Sequence, residues 1–300
     1  MKKIIISMLC VALCAVAVLT SCAKKEEENV EVVKNYKVDL TEDFVEEVPV
    51  FEYRFSGSEA TLIGYNPESA EEPIRELVLE QNPVRKRIKT VETVVENDDG
   101  TTYTVKEKVY VEDTEKEYTL TGIDAGVFMY QNDLTKVVIP DTVEEIGNAC
   151  FLGCENIKEI KLPEALVEIN DLTFYGCNSL ETLNIPSGVA KVGLFAFGEY
   201  FNKVPWYDNQ TASTVVVGDG VLLKYNGGAG SVRYADEIKS VAYYAFLEAP
   251  LSTIYFTDAT TDFDPLAFYR TKATVMLPEG SVNVASLRMN NVKVETYAAN

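Results

Sequence analysis

The chain has 300 residues, 27 of them lysine or arginine against 47 aspartate or glutamate, no histidine, and a formal net charge of −20. So acidic a surface repels phosphate backbones and anionic headgroups, which argues against nucleic acid as a partner and leaves any membrane attachment to a lipid. Without an imidazole, histidine-based triads and histidine-ligated metal sites are excluded, and neither a cofactor nor a metal is expected.

Lys2 and Lys3 open the chain, and Ile4 to Leu19 is apolar apart from Ser7. That run is short for a membrane span, which needs about 20 apolar residues, and it fits the core of a secretory signal peptide. It ends in Leu19-Thr20-Ser21-Cys22, which resembles a bacterial lipobox cleaved before a cysteine that carries a lipid. Residues 1–21 are therefore expected to be a lipoprotein signal peptide, with Cys22 as the lipidation site. Lys24, Lys25 and the acidic Glu26 to Glu28 follow, so residues 22–35 read as a flexible tether. Lysine and acidic residues after the cysteine also resemble the surface-export signal of some Gram-negative lipoproteins. Residues 36–58 are expected to form a small strand-rich cap or a linker.

The solenoid is expected over 59–300. Its signature is a period of 23 residues that relates Pro140, Pro163 and Pro186, as well as Phe151, Phe174 and Phe197. Self-similarity at such a period marks stacked repeats. Before each proline stand apolar residues two apart on one face of a short strand, Val137 and Ile139 being the first such pair. The proline removes a ladder donor and ends the strand. Val143 and Ile146, with their equivalents at each period, continue the apolar set toward the phenylalanine. Upstream, Phe128 keeps the period, and its strand half is found at Ile74, Leu77 and Leu79. Residues of about 82–117 then read as an insertion, a hairpin whose Val91-Thr93-Val95 and Tyr103-Val105 alternations flank Asp98-Asp99-Gly100. The acidic run at its tip lacks the spaced ligands of a calcium-binding loop. A second insertion, 200–230, reads as another hairpin around Gly218-Asp219-Gly220 and holds Trp206, the sole tryptophan, beside Tyr207. Beyond it Phe246 and Phe268 resume the array, with Ala235 and Thr257 in the proline place, and Pro278 closes a decayed last coil. The expectation is about seven coils.

Of six cysteines, Cys10 and Cys14 leave with the signal peptide, and Cys150, Cys154 and Cys177 remain beside Cys22. Cys154 and Cys177 hold the same place in neighbouring coils. A strand spacing of roughly 4.8 Å permits a bridge between them without requiring one, and small buried turn residues are the other reading.

The stretch Leu134 to Pro140 followed by Val143 to Cys154 resembles the BspA-type leucine-rich repeat of bacterial surface proteins. Ala60 to Tyr65 resembles a lead-in strand of such arrays, and Val204 to Tyr207 with Val217 to Tyr225 an insertion common in them. The resemblance implies a right-handed repeat solenoid of short β-strands, turns and 3-10 segments, and members implicated in adhesion, with no shared catalytic residues. Stacking of the strands would put Val78, Val138, Lys161, Asn184, Arg233, Tyr255 and Met276 in one outward column, and Glu76, Lys136, Glu159, Thr182, Ser231, Thr253 and Thr274 in a second. Such faces suit protein partners. Lys136, Lys161, Asn184, Arg233 and Tyr255 are the candidate binding residues, with Trp206 and Tyr207 as an alternative platform for a glycan. A solvated face with pairs such as Lys136 and Glu159 is the plainer reading. The expected protein is thus a lipid-anchored, non-enzymatic surface protein at the outer membrane that binds a protein, host or neighbouring-cell, through its repeats.

Overall fold

A computed structural model describes residues 32–34, 50–70, 72–83, 86–96, 102–112, 116–198 and 203–298. The expected signal peptide and lipobox, the tether apart from its residues 32–34, and the tip Asp98-Asp99-Gly100 of the first insertion lie outside these residues. Val32–Lys34, read from sequence as part of a flexible tether, is instead a strand paired antiparallel with Glu52 to Arg54.

The repeat residues build a solenoid because each coil offers two short strands that a neighbour can extend. On one side, Glu76–Val78, Lys136–Val138, Glu159–Lys161 and Thr182–Asn184 pair in parallel, one rung per coil. A second four-rung ladder of parallel strands follows with Gly230–Tyr234, Leu251–Phe256, Thr274–Pro278 and Lys293–Tyr297. Among the described residues the two ladders therefore have eight rungs, one more than the coils counted in the sequence. The eighth, Lys293–Tyr297, enters after the short helix Val284–Met289 and has no proline to mark its end. On the opposite side run shorter pairs, such as Glu168–Ile169 with Lys191–Val192.

The prolines end the strands as expected, and their carbonyls begin the next turn. Pro140, Pro163 and Pro186 accept from the N–H groups of Val143, Leu166 and Val189. Ala235 accepts from Ile238 in the same way, which is why the coil tolerates the loss of its proline. Between the two sides lies the core. Phe128, Phe151 and Phe174 are fully buried and stack at centroid distances of 5.3 and 6.0 Å, nearly parallel, and Phe197 extends the column at 5.5 Å. Burying one such ring stabilises the fold by about 1.5–3 kcal/mol, and the column repeats that contribution coil after coil. Tyr65 heads the column, 5.3 Å from Phe128.

Cys150, Cys154 and Cys177 are free and buried. The Cys154 thiol donates to the Phe128 carbonyl at 2.8 Å and the Cys177 thiol to that of Phe151 at 3.2 Å, so each ties its turn to the coil before it. Of the two readings of these cysteines, small buried turn residues holds. Burial pushes the Cys154 thiol up to about 12.

The N-terminal hairpin Phe51–Ser56 and Glu59–Tyr65 turns at Gly57, which sits at a φ of 58°. Its second strand pairs in parallel with Thr119–Ile123, so the hairpin extends the solenoid's own sheet. The first insertion is a hairpin, Lys86–Glu96 antiparallel to Thr102–Glu112, with Val95 opposite Tyr103 and Thr93 opposite Val105. The second is also a hairpin, Thr214–Val217 with Val221–Tyr225, but it is not an appendage. Val221 and Leu222 pair in parallel with Ser240 and Val241, and Val204, Val215, Val221 and Leu223 belong to the core.

Candidate functional site

The strand ladders carry the candidate face. In each rung the middle residue is apolar and turns inward, as Leu77, Val137, Ile160 and Leu183 do, leaving its two neighbours on the outside. Registers place Glu76, Lys136, Glu159 and Thr182 in one column and Val78, Val138, Lys161 and Asn184 in the other. In the second ladder Ser231, Thr253, Thr274 and Lys293 align, and so do Arg233, Tyr255, Met276 and Glu295. Each expected neighbour relation within a ladder thus holds. The single seven-residue column does not, because the second insertion comes between Asn184 and Arg233 and divides the face.

The two halves differ in chemistry. In the first, Lys136 Nζ lies 2.9 Å from Glu159 Oε1, and that hydrogen bond raises the lysine pKa. Lys161 Nζ lies 3.9 Å from Asp141 Oδ1, and Asn184 is exposed on the last rung. In the second, the Arg233 guanidinium sits 4.4 Å over the Tyr255 ring, and Tyr297 meets that ring edge-on at 6.4 Å. Ser231 and Ser252 hydroxyls are 3.2 Å apart. This half presents a cation on an aromatic surface amid hydroxyls and Met276, a composition typical of protein contacts. Lys293, Glu295 and Tyr297 belong to the ladder that carries this candidate face, and the repeat pattern missed them; the alternation Lys293-Val294-Glu295-Thr296-Tyr297 was the available signal.

Trp206 and Tyr207 sit on the short helix Pro205–Asp208, which docks through the Trp206 N–H on the Leu180 carbonyl at 2.7 Å. The Trp206 ring lies 5.1 Å from that of Phe197, and Tyr207 stacks on Phe197 at 5.6 Å and 7°. Lys224 Nζ lies 4.7 Å from the Tyr207 ring centroid, and burial raises the Tyr207 hydroxyl pKa. The two rings therefore cap the phenylalanine column and are not joined to Lys136, Lys161 or Arg233. A separate groove of about 570 Å³ lies beside the N-terminal hairpin, lined by Glu59, Glu144, Glu145 and Glu168 and spanned by the Arg54–Asp124 ion pair at 3.3 Å.

Comparison with known proteins places these repeats. The chain is similar to a leucine-rich repeat protein from Bacteroides capillosus, with 25% identity over 48% of this chain and 83% of that one, at a TM-score of 0.34. It is also similar to the leucine-rich repeat protein of T. pallidum (15% identity, 85% of this chain, 100% of that one, TM-score 0.38). A leucine-rich cell surface protein from Faecalibacterium prausnitzii shares 15% identity over 87% of this chain and 95% of that one, at a TM-score of 0.26. No curated protein matches the chain. The BspA type leucine-rich repeat region matches in six copies over residues 121–207 and 225–289, just over half of the chain. The protein belongs to the BspA-type leucine-rich repeat family.

Proposed function

We propose that this protein is a lipid-anchored, non-enzymatic cell-surface protein that binds a protein partner through the exposed faces of its ladders. The register supports this most: it gathers Arg233, Tyr255, Met276 and Glu295 into one outward column with hydroxyl residues alongside. Outward positions of a repeat array are free of the packing that dictates the inward ones, so specificity resides there. Trp206 and Tyr207, on which the glycan alternative relies, pack against Phe197, and this favours a protein partner over a sugar. The anchor rests on Lys2, Lys3, the apolar run and Leu19-Thr20-Ser21-Cys22.

A soluble chain beginning after Cys22 would be used to capture partners from host matrix and neighbouring-cell surface proteins. For any partner captured, Arg233→Glu combined with Tyr255→Ala is expected to weaken binding by about tenfold or more, a loss of ~1.4 kcal/mol. An unchanged affinity would sink the assignment to this face. For the anchor, Cys22→Ala is expected to end labelling by a palmitate analogue, and continued labelling would reject it.

A further inference from the structure

In the regular coils, the turn that carries the phenylalanine is tied to the following turn by backbone bonds in a fixed pattern. The N–H two residues before the phenylalanine and the N–H of the phenylalanine itself donate to alternate carbonyls of the next coil. Gly126 donates to Asn148 and Phe128 to Cys150; Ala149 donates to Asp171 and Phe151 to Thr173; Leu172 donates to Leu194 and Phe174 to Ala196. In the turn that follows these three the corresponding donors are the N–H groups of Phe195 and Phe197. Among the described residues neither has an acceptor.

The second insertion is the cause. Five residues lead from Val241 to Phe246, but three lead from Leu222, the parallel ladder partner of Val241, to Tyr225, whose ring stacks on Phe246. The inserted rung thus cuts the corner that the regular coils round. Tyr225 reaches forward, donating its N–H to the Ala245 carbonyl, as a repeat phenylalanine would. The Tyr243 ring meets Phe195 edge-on at 4.6 Å and Tyr207 stacks on Phe197, but no described residue accepts from the N–H groups of Phe195 and Phe197. Between the two full turns lies a cleft of about 340 Å³, within the range of ligand pockets, with Leu223, Lys224 and Tyr207 among its lining residues.

We infer that this cleft is a docking slot for an extended peptide segment of a protein partner, which takes the place of the missing turn and offers two carbonyls at alternate residues to the N–H groups of Phe195 and Phe197. The inference rests on the protein-binding reading above and places one contact at the break in the repeats. Two backbone donors at i and i+2 spacing match a peptide main chain, and strand addition of this kind draws affinity from backbone bonds and selectivity from neighbouring pockets. The residues that accept from the phenylalanine in the regular turns are small: Cys150, Thr173 and Ala196. The docked segment therefore carries a small residue where it meets Phe197.

The probe is a synthetic peptide, Val-Gly-Leu-Phe-Ala-Phe-Gly, a copy of residues 192–198, and the control is the same peptide with isoleucine for its alanine. Amide hydrogen exchange is followed in the full chain at Phe195 and Phe197, with Leu172 and Phe174 as bonded references. In the free chain the first two are expected to exchange faster than the references. The alanine peptide should slow both by about tenfold or more, leaving the references unchanged, and the isoleucine peptide should not. The inference is overturned if both amides are already as slow as the references, if the alanine peptide leaves them unchanged, or if they slow with protein concentration alone, which would place a second copy in the slot. Should the peptide fail while captured partners still respond to the Arg233 and Tyr255 substitutions, the slot falls and the sheet-face reading stands; should peptide protection appear without any such response, the slot stands and the sheet face falls.

Discussion

Gly153 sits at a φ of 72°, and a Cβ added there would come within 2.3 Å of the Tyr130 ring. The same place in other turns is held in the left-handed region by Tyr130, Glu248 and Arg270, at φ of 60°, 52° and 59°. Positive φ is therefore tolerated in these turns by ordinary residues, and the overlying ring makes glycine necessary at 153. Gly153→Ala is expected to cost about 1–3 kcal/mol, from left-handed strain plus the clash with the ring. Urea denaturation would measure it, and Tyr130→Ala in the same background should recover part of the loss. If the second substitution recovers nothing, the ring is not the cause. Nothing local in the sequence names this neighbour of Gly153, because Tyr130 lies one coil away. Tyr65, at the head of the phenylalanine column, carries a buried hydroxyl without a partner among the described residues; its ring, not its polarity, fits the column.

At the scale of strands and turns, one-residue alternation and a fixed period were enough to set the register within each ladder. The pair Lys136 and Glu159 shows what that register contributes. Their side chains are 38% and 43% exposed, so the ion pair works in high dielectric. A double-mutant cycle with Lys136→Ala and Glu159→Ala is expected to give a coupling no larger than that of an ordinary exposed ion pair, declining with added salt. A coupling several times larger would show that the pair organises the face instead of decorating it. The second insertion was legible as a hairpin through Gly218-Asp219-Gly220, but its integration was not. Val221 and Leu222 look like any hairpin strand in sequence; their parallel partners, Ser240 and Val241, become apparent once the chain is folded.

Over the whole molecule, the core divides near the same break. One apolar cluster runs from Tyr53 through Phe197 to Leu223, and another is built around Phe246, Phe256 and Phe268. Solenoid stability is close to a sum over coils and their interfaces, so a defect in one half need not reach the other. Phe268→Ala, a core truncation costing about 3–5 kcal/mol, is expected to lower the unfolding midpoint seen by circular dichroism more than that seen by fluorescence of Trp206, which packs on the first cluster. Coincident shifts would show that the break transmits cooperativity. The sequence by itself determined the repeat, the inward residues and the neighbours along each ladder, because a period of 23 residues imposes the same packing on every coil. Only the tertiary structure decided that the outward face is divided, that Trp206 and Tyr207 close the phenylalanine column, and that the N–H groups of Phe195 and Phe197 are left without an acceptor among the described residues. Those outcomes depend on how a non-repeating segment fits between two repeating ones, and with no copy of itself for comparison, that segment carries no periodic signal to read.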